Sequence, residues 1–255
     1  MKKIFAGILC IVLLCTVLPL GAFTASADAS GTFGDDMRWT LNDTTKVLTI
    51  SGNGAIPDNL SEFEFYKSRF NTLVIENGIT RIGSYAFSSF DNITTVTLPE
   101  TLKSIGSSAF YSCTSLKSVA IPNSVMTLEN NAFYGCTSLS TVTVGNGLTT
   151  LGMEVFSSCS SLTSINLPES VNNMGWNVFG GCDNLTISCY ADSYAMQYAK
   201  DYRINVKVLS KFTAADIVRA KIVILYGIVA PQYEVNGDGV MDVRDLVAMK
   251  KEIAA

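Results

Sequence analysis

The 255-residue chain contains no histidine. That absence removes catalytic Ser-His and Cys-His pairs, imidazole metal ligands, and the side chain that ordinarily titrates near neutrality. Charge is also scarce: 16% of residues are Asp, Glu, Lys or Arg, against about 25% in ordinary soluble domains. With Lys+Arg 18 against Asp+Glu 22 and no basic cluster, the chain lacks the electrostatic footprint of a nucleic-acid binder. An apolar share of 48% excludes the regime of low hydrophobicity and high charge that keeps chains disordered. The length allows one or two domains with a sizeable core.

Long apolar runs are limited to one, Ile4 to Phe23, preceded by Lys2 and Lys3 and followed by Thr24-Ala25-Ser26-Ala27. Charged, apolar and small-residue regions in that order fit a secretory signal over residues 1–27, cleaved after Ala27. A retained transmembrane helix is the alternative, since about 20 apolar residues span a bilayer; the A-x-A ending and the lack of a charged stop favour removal. Leu9 and Leu14, not small residues, precede Cys10 and Cys15, which argues against a lipid anchor. Expected is a secreted, monomeric protein with no membrane insertion once the signal is gone, extracellular or held at the cell surface.

Repetition decides the architecture. Phe87, Phe110, Phe133, Phe156 and Phe179 lie 23 residues apart, as do Ile93, Leu116, Leu139, Leu162 and Leu185. A third column runs Ile82, Ile105, Leu128, Leu151, Met174, and a fourth Cys113, Cys136, Cys159, Cys182, with Phe90 in the equivalent first place. A unit this short cannot bury its apolar side alone, so units must stack and share one core, with caps at the ends. Within LKSVAIPNSVMTLENNAFYGCTS, the alternation Leu116, Val119, Ile121 predicts a short strand ended by a Pro122-Asn123 turn. Stacked strands form a parallel sheet. A second short extended piece and a helical turn then insert Phe133 into the core.

The pattern L-x-x-V-x-I-P, then I-G, then A-F-x-x-C, resembles the BspA-like leucine-rich repeat proteins over residues 70–189, in five units. Residues 28–69, with Trp39-Thr40-Leu41 and Leu48-Thr49-Ile50-Ser51-Gly52-Asn53-Gly54, are similar to the β-hairpin cap that precedes such repeats. The resemblance implies an α/β fold, a right-handed leucine-rich repeat solenoid, and secreted or surface-exposed bacterial proteins that bind host proteins or other cells. Gly145 in place of one unit's Pro and Phe90 in place of the first Cys are departures.

Beyond the last unit, Tyr190, Tyr194, Tyr198 and Tyr202 recur every four residues, placing them on one stripe of a helix. Over residues 190–204 this predicts a short helix, N-capped by Ser193, whose aromatic face closes the solenoid. An aromatic platform for a carbohydrate is the alternative.

Residues 205–255 differ in kind. Phe212-Thr213-Ala214-Ala215-Asp216-Ile217 aligns with Met241-Asp242-Val243-Arg244-Asp245-Leu246, each a capping residue followed three positions later by Asp between apolar neighbours. Ahead of the second, Glu234-Val235-Asn236-Gly237-Asp238-Gly239 nearly fits a calcium-loop pattern. Its oxygen ligands would be Glu234, Asn236, Asp238, Asp242 and Asp245 with the Val240 carbonyl, and Gly239 would make the bend. A capping turn without metal is the alternative. The paired halves FTAADIVRAKIVILYG and VNGDGVMDVRDLVAMKKEIA resemble a type I dockerin, an all-α EF-hand-like module. That resemblance implies one bound Ca²⁺ and docking onto a cohesin of a scaffoldin or surface protein, as in a cellulosome. Ala214, Ala215, Val243 and Arg244 stand where such modules read the partner. The first loop would place Asn205, Lys207 and Leu209 at ligand positions and so would hold no calcium, and Glu234 replaces the usual Asp.

Five cysteines remain after residue 27. Strands about 4.7–4.9 Å apart with parallel Cβ vectors suit disulfides poorly, and a column of thiols cannot converge on one tetrahedral zinc. A buried ladder of free thiols is expected. Catalysis without His would need two carboxylates about 5–9.5 Å apart. Glu100 and Glu169, three units apart, are separated by roughly 14 Å, and only Glu129 and Glu154 lie in adjacent units. The outer strand positions are more informative: Thr94, Thr95, Thr97; Lys117, Ser118, Ala120; Ser140, Thr141, Thr143; Thr163, Ser164, Asn166. This hydroxyl-rich, nearly uncharged face suits a polysaccharide or a protein strand. The primary reading is therefore recognition by the solenoid; a glycoside hydrolase-type component of a polysaccharide-degrading complex and an inert spacer are the alternatives.

Overall fold

The computed structural model describes residues 28–33, 35–212, 216, 220 and 243–254. Two sheets, both in chain order, wrap one core. The long sheet has ten strands, beginning Ala29–Phe33, Met37–Asn42 and Val47–Gly52, then Thr72–Ile75, Thr95–Thr97, Ser118–Ile121, Thr141–Val144, Ser164–Asn166, Thr186–Tyr190 and Asn205–Leu209. Its first two junctions are antiparallel and the others parallel. The short sheet stacks Gly54–Ala55, Ile79–Ile82, Ser104–Ile105, Thr127–Leu128, Thr150–Leu151 and Asn173–Met174, all parallel. These are the strand and the second extended piece that the unit predicts.

The third side corrects the α/β expectation. Between the short strand and the next long one, the coils from Ile79 onward make successive turns and no helix, and the first coil holds only the short 3-10 helix Ser61–Phe65, so the solenoid is a β-solenoid. The turns stack as a ladder of their own: the amides of Phe87, Phe110, Phe133 and Phe156 donate to the carbonyls of Ala109, Ala132, Val155 and Val178 in the following coil at 2.8–2.9 Å. A helix would spend its amides internally; these turns spend them on the neighbouring coil. Two backbone positions per coil are left-handed to make this possible. One column is Tyr85, Ser108, Asn131, Glu154, Asn177 (φ 54–59°), and the other Ser89, Ser112, Gly135, Ser158, Gly181 (φ 53–75°).

The four columns all point inward. Phe87, Phe110, Phe133 and Phe156 are fully buried and stack ring on ring, with centroids 5.2–5.6 Å apart and planes within 15°; Phe179 extends the stack at 5.8 Å and 5°. Beside them, the thiols of Cys113, Cys136, Cys159 and Cys182 donate to the carbonyls of Phe87, Phe110, Phe133 and Phe156 at 3.2 Å. Each thiol thus satisfies a carbonyl one coil back while filling a small apolar slot, which a Val could fill but not satisfy. All five described cysteines are free and buried.

The repeat starts earlier than its 23-residue columns indicate. Val47–Gly52, placed by sequence in the cap, already pairs in parallel with Thr72–Ile75, with Leu48 beside Leu73. Phe63, 24 residues before Phe87, stacks beneath it at 6.4 Å. A coil longer by one or two residues breaks the numerical period while keeping the geometry. The hairpin Ala29–Asn42 then covers the open end, with Phe33 and Trp39 edge-on to Phe63 at 5.5 and 5.1 Å. Arg69 pairs with the buried carboxylate of Asp43, its Nε donating to Oδ1 at 2.9 Å, and lies over the ring of Tyr66.

The other end also differs from its predicted boundary. Asn205–Leu209 is a strand of the long sheet, paired with Thr186–Tyr190 in register Thr186–Asn205 through Tyr190–Leu209. Asn205, Lys207 and Leu209 therefore belong to the solenoid, not to a first metal loop. Between these strands sits the predicted helix, Tyr194–Asp201, with the Ser193 side chain accepting from the Met196 amide. Its tyrosines replace the missing coil. The Asn177 amide, whose equivalents in earlier coils donate to the following coil, donates to the hydroxyl of Tyr202 (3.4 Å), and the neighbouring Val178 amide donates to that of Tyr198 (2.8 Å).

Candidate recognition surface

Alternation along each long strand turns every second side chain outward. Register aligns these across coils: Thr72, Thr95, Ser118, Thr141, Ser164 and Thr186 form one row, and Thr97, Ala120, Thr143 and Asn166 the next. Thr95, Thr97, Ser118, Ala120, Thr141, Thr143, Ser164 and Asn166 are exposed, as predicted. At the start of the strands, Lys117 and Thr163 are exposed too, but two predicted residues are partly spent on the scaffold. The Thr94 hydroxyl donates to the Asn71 carbonyl at 3.1 Å and that of Ser140 to the Lys117 carbonyl at 3.3 Å. These hydroxyls stitch neighbouring coils together.

The face is wider than the repeat columns suggest. Thr49 and Val74 extend it toward the hairpin, where Arg38 and Thr40 are exposed, and Asn205 and Lys207 extend it the other way. Along the edge where the strands end, two shallow grooves of about 380 and 510 Å³ meet at Thr97, Leu98 and Glu100. Ala120 contributes the smallest side chain of its row and lines the first of these grooves. Partly exposed Leu98 and Val144 give this edge apolar patches among the hydroxyls, a combination suited to sugar rings or an extended peptide.

The carboxylates weighed for catalysis are held by separate partners. One Glu129 oxygen accepts from both the amide and hydroxyl of Ser107 at 3.0 Å, and the other lies 3.7 Å from Arg81. Glu154 receives Asn131 Nδ2 and Asn177 Nδ2 on its two oxygens. Glu169 pairs with Lys211 at 2.7 Å, and Lys211 also lies over the Tyr190 ring. Asp58 is held below the usual carboxylate range by the hydrogen bond from Arg81 and then that from the Ser84 amide. Burial pushes the Cys113 and Cys182 thiols up to about 12; Cys159 is raised first by hydrogen bonding with Cys136 and then by burial. A thiol kept protonated is a poor nucleophile and a poor metal ligand.

Of the calcium-loop residues, Glu234, Asn236, Asp238, Val240 and Asp242 lie outside the described residues, as do Ala214 and Ala215 and the signal segment 1–27. Asp245 is described: it is fully buried in the first turn of the helix Val243–Ala254. Val243 opens that helix and Arg244 is exposed. Among the described residues no group of three or more Cys, Asp or Glu is placed to hold a metal, and no helix is long and apolar enough to cross a membrane.

The coil geometry has a counterpart in sequence. A model of the BspA type leucine rich repeat region matches residues 58–186 in six copies. The chain belongs to this family. The sixth copy is consistent with the early coil carrying Phe63, and the match ends before the tail. Among solved structures, the leucine rich repeat protein of T. pallidum is similar at 24% identity, over 62% of this chain and 70% of that one, with a TM-score of 0.48. A leucine rich cell surface protein from Faecalibacterium prausnitzii aligns at 25% identity over 62% of this chain and 54% of its own, TM-score 0.39. The pneumococcal vaccine antigen PcpA aligns at 16% identity over 60% and 47%, TM-score 0.42. No curated protein matches.

Proposed function

We propose that this BspA-type solenoid is a secreted recognition protein that binds a protein or polysaccharide through the outer rows of its long sheet. One observation carries the reading: from Thr95–Thr97 to Ser164–Asn166, adjacent strands present a nearly uncharged face whose exposed hydroxyls recur in register, edged by grooves with partly exposed Leu98 and Val144. Repetition gives many weak, equivalent contacts, which suits a ligand that is itself periodic or extended. A rigid stacked core holds those contacts in place without ordering cost on binding. The experiment is surface plasmon resonance of the full chain against immobilised cell-wall polysaccharides and extracellular matrix proteins. Binding that Thr97→Lys with Thr143→Lys weakens at least tenfold supports the reading; no binding to any surface, as an inert spacer would give, opposes it.

The tail is a second part of the proposal: a calcium-loaded docking module for a cohesin, with Glu234, Asn236, Asp238, Asp242 and Asp245 as side-chain ligands. The loop sequence supports it, together with a helix that begins directly after Asp242 and buries Asp245 in its first turn. Calorimetry of the full chain with Ca²⁺, then with cohesins, tests it: one ion bound, and cohesin retention that a chelator abolishes. Equal retention with and without chelator removes it. A glycoside hydrolase-type role has less behind it, because Glu129 and Glu154 are engaged by different coils; polysaccharide turnover lost in Glu129→Ala or Glu154→Ala would revive it.

A further inference from the structure

The helix Tyr194–Asp201 does more than close the solenoid. Its tyrosines divide into two sets. Tyr198 and Tyr202 stack at 4.3 Å and receive the last coil's amides, so they are the cap. Tyr194 takes no part in this: its side chain is 46% exposed on the same helical face, one turn before Tyr198. Across from it, Trp176 is 61% exposed, two residues past the strand Asn173–Met174. The equivalent place one coil back holds Met153, also 48% exposed, so two adjacent coils turn apolar side chains outward here.

Trp176, Tyr194, Gln197, Asp201 and the Tyr198–Tyr202 pair line one cleft of about 280 Å³. Residues 194, 197, 198, 201 and 202 follow the spacing of a single helix face, so one element supplies most of one wall. Within it, Gln197 Nε2 donates to Asp201 Oδ1 at 2.7 Å. That bond fixes both groups while leaving the Gln197 carbonyl, its second amide hydrogen and the other Asp201 oxygen to face a ligand.

We propose that this cleft is a glycan-binding site, separate from the sheet face, that takes one or two pyranose rings of a polysaccharide. The chemistry is complementary. Pyranoses with equatorial hydroxyls present flat C–H faces that lie on aromatic rings, here Trp176 and Tyr194, and a rim of hydroxyls that needs both donors and acceptors, here Gln197 and Asp201. The volume lies near the low end of ligand pockets and suits a short stretch of a longer chain passing through an open cleft. An apolar peptide would leave the Gln197 and Asp201 groups unpaired, and an anionic ligand would meet the Asp201 carboxylate. This assignment does not rest on the sheet-face reading.

The test uses the full chain in a Trp39→Phe background, so that emission reports Trp176 alone. Cellohexaose, maltohexaose and chitohexaose are titrated while fluorescence and heat are recorded. Expected is a change in Trp176 emission with at least one of the three, and affinity reduced tenfold or more by Tyr194→Ala and by Trp176→Ala (the latter read by heat), with unchanged thermal midpoints. Gln197→Ala should weaken binding while leaving the aromatic platform intact. Thr97→Lys with Thr143→Lys should leave this binding unaltered. Absence of binding to all three sugars overturns the proposal. So does binding that is lost only in the sheet-face variant, or a sedimentation shift showing that Trp176→Ala disrupts pairing of two chains instead.

Discussion

Replacing Phe133 by Ala should break the ring stack at its centre, and the size of the loss can be worked from its two neighbours. Phe133 is fully buried, with Phe110 on one face (5.2 Å, 6°) and Phe156 on the other (5.5 Å, 9°). Phe→Ala in a core costs about 3–5 kcal/mol, and each aromatic pair adds roughly 0.5–1.5 kcal/mol beyond buried area, so two lost stacks place this site near 5 kcal/mol. Phe179 also has two aromatic partners, a stack on Phe156 and an edge contact with Tyr198, but is 5% exposed; Phe179→Ala should cost no more than the central change. Against a total stability of about 5–15 kcal/mol, the central change removes a third or more. Because coils contact only their neighbours, it should also uncouple the two ends. Trp39 in the hairpin and Trp176 in the last coil mark those ends. Urea unfolding followed by each tryptophan in single-Trp chains should give coincident transitions for the parent and separated ones for Phe133→Ala. A loss below about 2 kcal/mol, under the usual range for such truncations, or coincident transitions in the variant, would refute the reasoning.

Other expectations follow from neighbouring features. Arg69→Ala leaves the buried Asp43 carboxylate without its guanidinium and should cost about 3 kcal/mol, with Asp43→Asn recovering part of it in the double variant; calorimetric midpoints check this. Ser158 sits at φ 61° in a column that elsewhere holds Gly135 and Gly181, so Ser158→Gly should be neutral to stabilising by up to about 1 kcal/mol and Ser158→Val destabilising, read by urea midpoint. The Cys113 and Cys182 thiols are raised from 9.0 to about 12 in the folded chain. The folded state therefore holds protons that the unfolded state releases above pH 9, so stability is full below that pH and falls as pH rises toward 12. Alkaline unfolding should shift to higher pH in Cys113→Ala with Cys182→Ala, and native thiols should resist Ellman's reagent at pH 8 until urea is added.

How much of this was legible in sequence depends on whether a feature repeats in residue type or only in backbone shape. The Phe, Leu and Cys columns name themselves because one chemistry is required at each turn of the core. The left-handed column at Tyr85, Ser108, Asn131, Glu154 and Asn177 does not, because its requirement is a positive φ that four different residue types reach in return for the inter-coil hydrogen bonds. The coil carrying Phe63 was hidden by its extra length, and the strand Asn205–Leu209 by pairing that depends on the intervening helix. The tyrosine stripe was readable as a cap from spacing, but its division into bonded Tyr198 and Tyr202 and exposed Tyr194 depends on where the last coil's amides lie. Trp176 carried no signal at all: its importance comes from what the helix places opposite it.

The recognition claim is tested most directly by measuring binding of the full chain to cell-wall polysaccharides and matrix proteins, side by side with the Thr97→Lys, Thr143→Lys variant. The account predicts saturable binding to at least one surface, weakened tenfold or more in the variant while its thermal midpoint stays within a degree or so of the parent. Equal affinity of the two proteins, or no binding by either, would contradict it.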